Sequence, residues 1–341
     1  MQFVHLVGSV PLSNADEVFR ATGETLGDRL KRYPDGETGG RKEWVQWQMH
    51  SLVNHPQFET TASRPVVINH SVAPAERVFY KLKDGIAPED VRFKPLGYAE
   101  NAAASYPAFR ALRERGVIPR SARFLVCIPS PLAFLFVLIA GPERLRVEPG
   151  YMKRLLQEID DIAAAVPPED LAIQFDCVME MLIPEGWRQS QMDDSRDALI
   201  ARIALAGNRV PAAAQLGYHF CYGDMEHRHS VEPPDVSIMV DMANRLRAAL
   251  DRPMDYLHMP VPRGRDDDAY FEPLRDLALA PETELYLGLV HYTDGIEGTR
   301  RRMATADRHY TDYGIGTECG FGRRAPETIR PLLELHRDAL R

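Results

Sequence analysis

The stretch Gly217-Tyr-His-Phe-Cys-Tyr-Gly-Asp224 follows the apolar run Ala212–Leu216, and together they predict a buried strand that ends in reactive side chains. Side chains two positions apart in a strand point to the same side, so His219 and Cys221 are expected to face one way. An imidazole and a thiolate are two of the ligands that zinc takes, and a catalytic zinc site needs a third protein ligand. Cys319 is the candidate. The alternative is that they are ordinary core residues, because cysteine is among the most buried residue types.

Short strand-like runs recur on both sides of this stretch, and helical patterns such as Tyr151–Val166 lie between them. The predicted strands are Phe3–Gly8, Val66–His70, Phe124–Ile128, Leu171–Asp176, Ala213–His219, Tyr256–Met259, Glu284–His291 and Gly314–Cys319. Alternating strands and helices predict an α/β fold with a parallel sheet, and eight repeats predict a closed (β/α)8 TIM barrel. We expect one domain over residues 1–341, with a long first βα loop from Ser9 to about Pro65.

Reactive side chains lie at or near the carboxyl ends of these predicted strands, where the active site of such a barrel is found. In chain order they are Ser9, His70, Ser130, Asp176, His219 with Cys221, His258, His291 and Cys319. The sequence therefore predicts that they meet at one rim of the barrel.

The long loop contains Tyr33-Pro-Asp-Gly-Glu-Thr-Gly-Gly-Arg41, which is consistent either with an ordered loop over the site or with a solvated turn. Trp44 and Trp47 follow it. We expect both tryptophans to be packing residues rather than a platform for substrate.

The charge balance and the apolar runs exclude several classes of protein. Lys and Arg number 41 against 49 for Asp and Glu, a net charge of -8, which argues against an extended surface for nucleic acid. The first residues have no basic start and no long apolar run, so a cytoplasmic location is expected. Phe124–Gly141 has 18 residues without a charge, but Pro129-Ser-Pro131 interrupts it, so we predict a buried strand and an apolar segment rather than a membrane span. The 4 cysteines are too few and scattered for a disulfide framework.

With these residues placed, nearly the whole chain resembles the catalytic barrel of the cobalamin-independent methionine synthase family and its stand-alone relatives. The resemblance is carried by Val7–Pro11, Ile173–Asp176, His219–Tyr222, Gly288–His291 and Glu318–Gly322. It implies that His219, Cys221 and Cys319 bind Zn²⁺, that Ser9 and Asp176 hold the carboxylate and the amine of the amino-acid substrate, and that His291 relays protons.

The chain departs from the family pattern in three places. The family has a glutamate as a further zinc ligand at the end of the sixth strand, where His258 is the residue best placed to substitute here. The family's Asp-Glu-Pro after the fourth strand is replaced by Asp176-Cys-Val-Met-Glu180, which bears on recognition of an α-amino group. The N-terminal half of the full-length enzyme is not in this chain, which bears on the use of a folate donor.

The function that follows from the resemblance is zinc-dependent methyl or other alkyl transfer to a small thiol such as homocysteine, as in methionine biosynthesis. A free thiol has a pKa of about 8.5 and is mostly protonated at neutral pH, whereas zinc deprotonates a bound thiol. His291 would protonate the leaving group. The alternatives are a different electrophile, such as an epoxide or an aryl methyl ether, a metal-free barrel decarboxylase, and a binding protein without catalysis.

Overall fold

A parallel sheet flanked by helices organises the computed structural model, which describes residues 3–61, 64–68, 71–224 and 228–341. The strands are β1 (Arg32–Pro34), β2 (Phe58–Thr60), β3 (Arg64–Ile68), β4 (Ser71–Arg77), β5 (Tyr80–Leu82), β6 (Arg123–Pro129), β7 (Leu171–Cys177), β8 (Gln215–Phe220), β9 (Tyr256–Pro260), β10 (Glu284–Val290) and β11 (Tyr313–Thr317). The α-helices are α1 (Ala15–Leu26), α2 (Tyr98–Glu114), α3 (Pro131–Leu138), α4 (Arg144–Ala165), α5 (Met179–Leu182), α6 (Arg196–Arg209), α7 (Ser237–Ala249), α8 (Asp268–Phe271), α9 (Gly295–Ala306) and α10 (Ile329–Ala339).

Seven of these strands form the main sheet in the order β1-β6-β7-β8-β9-β10-β11, and each neighbouring pair is parallel. The two edges are linked by the segment before Ser9, because Val4 forms parallel bridges with both Leu30 and Ile315. The predicted α/β class with a parallel sheet is therefore confirmed. The eighth position of the predicted barrel is represented by isolated bridges rather than by a regular strand.

The last six predicted strands correspond to β6 through β11, with helices between them. The side chains of these apolar runs are buried on both faces of the sheet, as expected of parallel strands that are covered on both sides. The uncharged segment Phe124–Gly141 forms β6 and α3, as the interrupting prolines predict. Within the described ranges, no helix combines the length and the apolar character needed to cross a bilayer.

The prediction for the second strand is wrong. The chain returns to the sheet through β1, whereas β3, which includes Val66, pairs antiparallel with β4 in a separate hairpin. His70 lies outside the described residues. The long excursion consequently follows β1 and spans residues 35–97, so it is the second connection of the barrel and not the first. The reason is physical: β1 has only three residues and begins with Arg32, so it has no apolar run to reveal it.

Arg32 is buried among the first residues of several strands, at the end of the sheet opposite to the predicted site. Its guanidinium donates to Glu284 at 2.9 Å and to Gln215 at 2.7 Å, and it stacks over the Tyr256 ring at 4.0 Å. Lys31 also contacts Glu284. This cluster contributes to stability rather than to catalysis, because the active site of such a barrel lies at the carboxyl ends of the strands.

We expect Glu284→Gln to lower the free energy of unfolding by about 2 kcal/mol, because it leaves the buried Arg32 without a counter-charge. The loss is smaller than for a fully buried pair, since Glu284 remains partly exposed. Urea titration measures this change in the free energy of unfolding. Glu282→Gln, at a neighbouring exposed position, is the control and should leave the unfolding midpoint unchanged.

The pH dependence of this effect has a definite sign. Burial alone would raise the pKa of Glu284, but Arg32 and Lys31 outweigh it and lower the pKa below its ordinary value. The stabilisation is therefore fully present above the unfolded pKa of about 4.3 and is lost as the pH falls through the folded value. The difference between wild type and Glu284→Gln should be constant from about pH 6 to 8 and narrow below about pH 4. A difference that widens in acid would contradict this assignment.

Candidate active site

A cavity of about 180 Å³ opens at the carboxyl ends of the main-sheet strands. Five of the predicted site residues line it, namely Ser9, Asp176, His219, Cys221 and Cys319. His258 and His291 are buried close to these residues but are not part of the lining described. The structure therefore brings these seven residues together. Ser130, at the end of β6, instead donates a hydrogen bond to Glu180 and does not line the cavity.

His219, Cys221 and Cys319 form a cluster with the composition of a zinc site. One ligand atom from each lies within 4.8 Å of the others, and the two sulfurs are 3.8 Å apart. His219 Nε2 is buried and has no hydrogen-bond partner among the described residues. An orphaned imidazole nitrogen beside two thiols fits a borderline-soft cation, since it gives that nitrogen a partner and the donor set that Zn²⁺ prefers.

The Cys319 thiol itself needs such a cation to ionise. Contact with Cys221 and burial both raise the pKa of the Cys319 thiol well above its ordinary value, so this thiol would otherwise remain protonated at neutral pH. The same cluster would become an anionic ligand set once a cation is bound, because coordination deprotonates thiols.

His258 contacts His219 rather than joining the cluster of converging ligand atoms. Its Nδ1 is 2.8 Å from Nδ1 of His219, and the ring centroids are 4.8 Å apart. Burial lowers the pKa of His258 to about 3, although a backbone hydrogen bond with Thr317 opposes this. The neutral ring can then accept the Nδ1 proton of His219, which leaves Nε2 of His219 unprotonated and able to bind a metal. The idea that His258 is itself a ligand stays a prediction.

Two carboxyl groups line the cavity beside this cluster. Burial raises the pKa of Asp176 to about 7, even though the Gln174 amide donates a hydrogen bond to it at 2.9 Å. Burial and the charge of Asp176 raise the pKa of Glu37 well above its ordinary value. A cationic group of a ligand would stabilise both carboxylates in their charged forms.

Glu37 also lines the cavity, and it belongs to the Tyr33–Arg41 segment, for which the sequence left open an ordered loop over the site or a solvated turn. It follows β1, and its φ of 49° comes directly after Gly36 with a φ of 82°, so the turn is sharp. The signal was present in the Asp35–Arg41 segment, which the structure orders through an ion pair between these two residues. Because the second strand was placed elsewhere, this acid was not recognised as lying at a strand end.

Ser9 is held against the turn that follows Cys319. Its carbonyl accepts from the Phe321 amide at 2.7 Å, and its hydroxyl accepts from the Gly322 amide at 3.2 Å. A Cβ at Gly320 would lie 2.4 Å from the Ser9 hydroxyl oxygen, so a side chain there would displace it. The glycines of this turn therefore keep the serine next to the metal-ligand cluster.

His291 contacts Glu318, the residue that precedes Cys319 of the metal-ligand cluster. Nε2 donates to the Val261 carbonyl at 2.8 Å, and Nδ1 is 3.2 Å from a Glu318 carboxylate oxygen. Burial and the Arg302 guanidinium lower the pKa of His291 to about 3, so the ring is neutral at pH 7. A role for His291 as a proton donor stays a prediction. A proton on its Nδ1 would be within reach of the Glu318 carboxylate.

Four aromatic side chains contribute to the wall of the cavity. Trp44, Phe79, Phe136 and Trp187 line it, and the Phe136 and Trp187 rings are 5.8 Å apart. Trp47, by contrast, packs against Tyr98 at a centroid distance of 5.1 Å. Both tryptophans pack against the core as expected, and Trp44 in addition lines the cavity.

Comparisons with known proteins support the fold. No protein-family model and no curated protein sequence matches the chain. Among solved structures, a B12-independent methionine synthase from Shewanella sp. W3-18-1 in complex with selenomethionine is similar, with a TM-score of 0.62 and 13% identity over 99% of this chain and 96% of that one. A putative vitamin-B12 independent methionine synthase from Listeria monocytogenes has a TM-score of 0.56 and 14% identity over 98% and 96%. A methyltransferase from Methanosarcina mazei has a TM-score of 0.55 and 11% identity over 98% and 93%.

These similarities extend over nearly the full length of each chain, so the fold as a whole is shared and not only one motif. At this level of identity they speak for the fold alone. The function has to be argued from the site.

Proposed function

We propose that the protein is a zinc-dependent alkyltransferase, most simply a methyltransferase, whose acceptor is a small thiol. The observation that carries the proposal is the convergence of His219, Cys221 and Cys319 within 4.8 Å on the wall of a cavity. These three residues would hold the ion and leave a position for the acceptor. Zinc would supply a lowered pKa for a coordinated thiol, and hence a nucleophile at neutral pH.

The remaining wall suits an amino-acid thiol such as homocysteine. Asp176 and Glu37 would bind its ammonium group, which would in turn favour their ionised forms. The Ser9 hydroxyl and the backbone of the adjacent glycine turn would face its carboxylate. During transfer a sulfur–carbon bond would form as the bond between the alkyl group and its carrier breaks, and the aromatic side chains of the cavity wall would help to exclude water from the reacting atoms. The names of the structural neighbours agree with this chemistry.

The proposal is tested with the purified protein, metal analysis and thiol titration. We expect one zinc per chain, and we expect the acceptor thiol to add a sulfur to the zinc shell and to release about one proton. Zinc-edge absorption spectroscopy and a pH indicator in weak buffer measure the two effects. Protein that contains no zinc and takes none up would contradict the proposal and would favour a metal-free reaction such as decarboxylation. Zinc without a response to any thiol would favour a binding protein.

The amino-acid part of the proposal has its own test. Homocysteine should bind about tenfold more tightly than 4-mercaptobutanoate, which lacks only the amine, because a charge-assisted hydrogen bond to Asp176 contributes about 1.5 kcal/mol. Asp176→Asn should remove most of this difference while leaving the affinity for 4-mercaptobutanoate unchanged. Equal affinities in the wild type would exclude recognition of the amine but not thiol activation.

A further inference from the structure

Polar side chains lie behind the cavity, on the inner side of the main sheet, where branched aliphatic residues fill a typical barrel. Gln174 and Asp176 are two positions apart in β7, so their side chains point to the same side of the strand. His5 lies there too, between the Tyr256 and Tyr286 rings at centroid distances of 5.1 and 5.2 Å. Asp176 lines the cavity, whereas the fully buried Gln174 does not, so Gln174 can act on a ligand only through its neighbour.

The direction of the Gln174 amide follows from the groups around it. Its nitrogen lies 2.6 Å from the Val7 carbonyl oxygen and 2.9 Å from Asp176 Oδ1, and its oxygen lies 2.8 Å from His5 Nε2. Only the nitrogen of an amide side chain donates, and a carbonyl oxygen only accepts, so the nitrogen must face Val7. The amide therefore also donates to Asp176, and its oxygen is left to accept from His5.

The same hydrogen bonds fix a hydrogen on His5. Because the Gln174 oxygen can only accept, Nε2 of His5 must carry the hydrogen between them. Both hydrogens of the Gln174 nitrogen are used, one for Val7 and one for Asp176, and its oxygen is used as well. A buried network in which every member is satisfied holds its side chains in one arrangement.

The consequence for a ligand lies in the state of the Asp176 carboxylate. The Gln174 amide occupies Oδ1 and sets the direction of the group, and a hydrogen bond to a charged carboxylate favours the charged form. A carboxylate that is charged and fixed in this way forms a charge-assisted hydrogen bond with an ammonium group. The next residue, Cys177, stands where the family has a glutamate and does not line the cavity. It adds nothing to the recognition of an amine.

We propose that Gln174 and His5 are positioning residues that make Asp176 selective for an acceptor thiol with a cationic amine. Neither residue touches the ligand. His5 holds the Gln174 amide, and the amide holds the carboxylate that faces the ammonium group. The inference rests on the proposed function, since it concerns the acceptor of the same site, and it adds that the selectivity is set by residues behind the cavity wall.

Gln174→Met tests the amide, because methionine has a similar length and shape but no hydrogen to donate. Calorimetry on zinc-loaded protein compares homocysteine with 4-mercaptobutanoate. The preference for homocysteine should fall from about tenfold in the wild type to about twofold in the variant. The affinity for 4-mercaptobutanoate and the zinc content should stay unchanged, whereas a purely structural role would weaken the binding of both thiols equally.

Gln48→Met is the matched control. Gln48 is also fully buried, and its amide hydrogen-bonds to Tyr98 and Tyr151 rather than to Asp176. The control variant should lose stability against urea, as Gln174→Met does, but should keep the preference of about tenfold.

His5 is tested with a pair of variants. His5→Leu leaves the Gln174 oxygen without a donor, so the preference for homocysteine should fall to about fourfold. His5→Gln should restore it, because the glutamine side-chain nitrogen can take the place of Nε2 and donate to the same oxygen. In metal-free wild type with isotope-labelled histidine, heteronuclear NMR should show a hydrogen on His5 Nε2, and His5→Leu should lack this signal.

The outcomes separate the inference from the proposed function. If the wild type prefers homocysteine and Gln174→Met keeps the full preference, or Gln48→Met loses it equally, the inference falls and the proposed function stands. A His5 ring without a hydrogen on Nε2, or a His5→Gln variant no better than His5→Leu, would also overturn the inference. If the wild type binds both thiols equally, the inference falls together with recognition of the amine, and thiol activation remains. If no thiol reaches zinc, the proposed function itself falls.

Discussion

Cys221→Ser and Cys319→Ser are each expected to reduce zinc affinity about a hundred- to a thousandfold and to abolish alkyl transfer. Structural zinc sites contribute about 10–16 kcal/mol over four ligands, so one ligand is worth roughly 3 kcal/mol or more. Serine keeps the size of the side chain but replaces a sulfur that zinc ionises with an oxygen that it binds poorly. Metal content after dialysis against a chelator of known affinity measures the loss.

Cys127→Ser is the matched control for these variants. Cys127 is a buried thiol in β6 that donates to the Val7 carbonyl at 3.1 Å, outside the metal-ligand cluster. A serine hydroxyl can make the same hydrogen bond, so zinc affinity should be unchanged. Full zinc occupancy in both Cys221→Ser and Cys319→Ser would refute the assignment of the site. Equal losses in all three variants would instead indicate a general effect on folding.

These cysteines were found from the sequence because the fold brings distant strand ends together. Cys221 and Cys319 are 98 positions apart, yet each follows a strand of one parallel sheet, and the carboxyl ends of such strands meet at one rim. The strands that contribute them are buried apolar runs with clear boundaries. Where the local pattern is strong, a residue's place at a strand end can be predicted without knowledge of the packing.

The second strand could not be predicted in the same way. β1 has three residues, and its buried Arg32 is stabilised by Glu284 and Gln215, which come from strands more than 180 positions later. Local sequence does not show that an arginine will find a buried partner so far along the chain. The β-branched residues near Val66 were a stronger local signal, but they pair within a hairpin.

The places of Glu37 and Trp44 on the cavity wall could not be predicted for a related reason. Both lie in the excursion after β1, where the conformation depends on contacts with other parts of the chain. Glu37 gains its properties from burial beside Asp176, and Trp44 is held with a positive φ by the packing around it. The sequence showed an acidic, glycine-rich segment followed by a tryptophan, but not which way these side chains point.

The second large effect is expected at His258. His258→Ala should weaken zinc binding by up to about a hundredfold, because partners that orient a metal-binding histidine are typically worth 10–100-fold in affinity. In the structure His258 Nδ1 is 2.8 Å from His219 Nδ1. Without this acceptor the His219 proton can move to Nε2, the nitrogen that otherwise has no hydrogen-bond partner among the described residues, and the ring is free to turn.

His258→Asn separates orientation from ligation. The asparagine side-chain oxygen can occupy the place of the histidine Nδ1 and accept the same proton, so this variant should recover most of the zinc affinity that His258→Ala loses. Zinc-edge spectra of the wild type should show one imidazole and two cysteine sulfurs, and this protein ligand set should be the same in both variants. If the wild type shows two imidazoles and the variants only one, then His258 is a ligand, as the position of the family's glutamate suggests. In that case His258→Asn should bind zinc no more tightly than His258→Ala, since zinc binds neutral amide oxygens far more weakly than imidazole nitrogen.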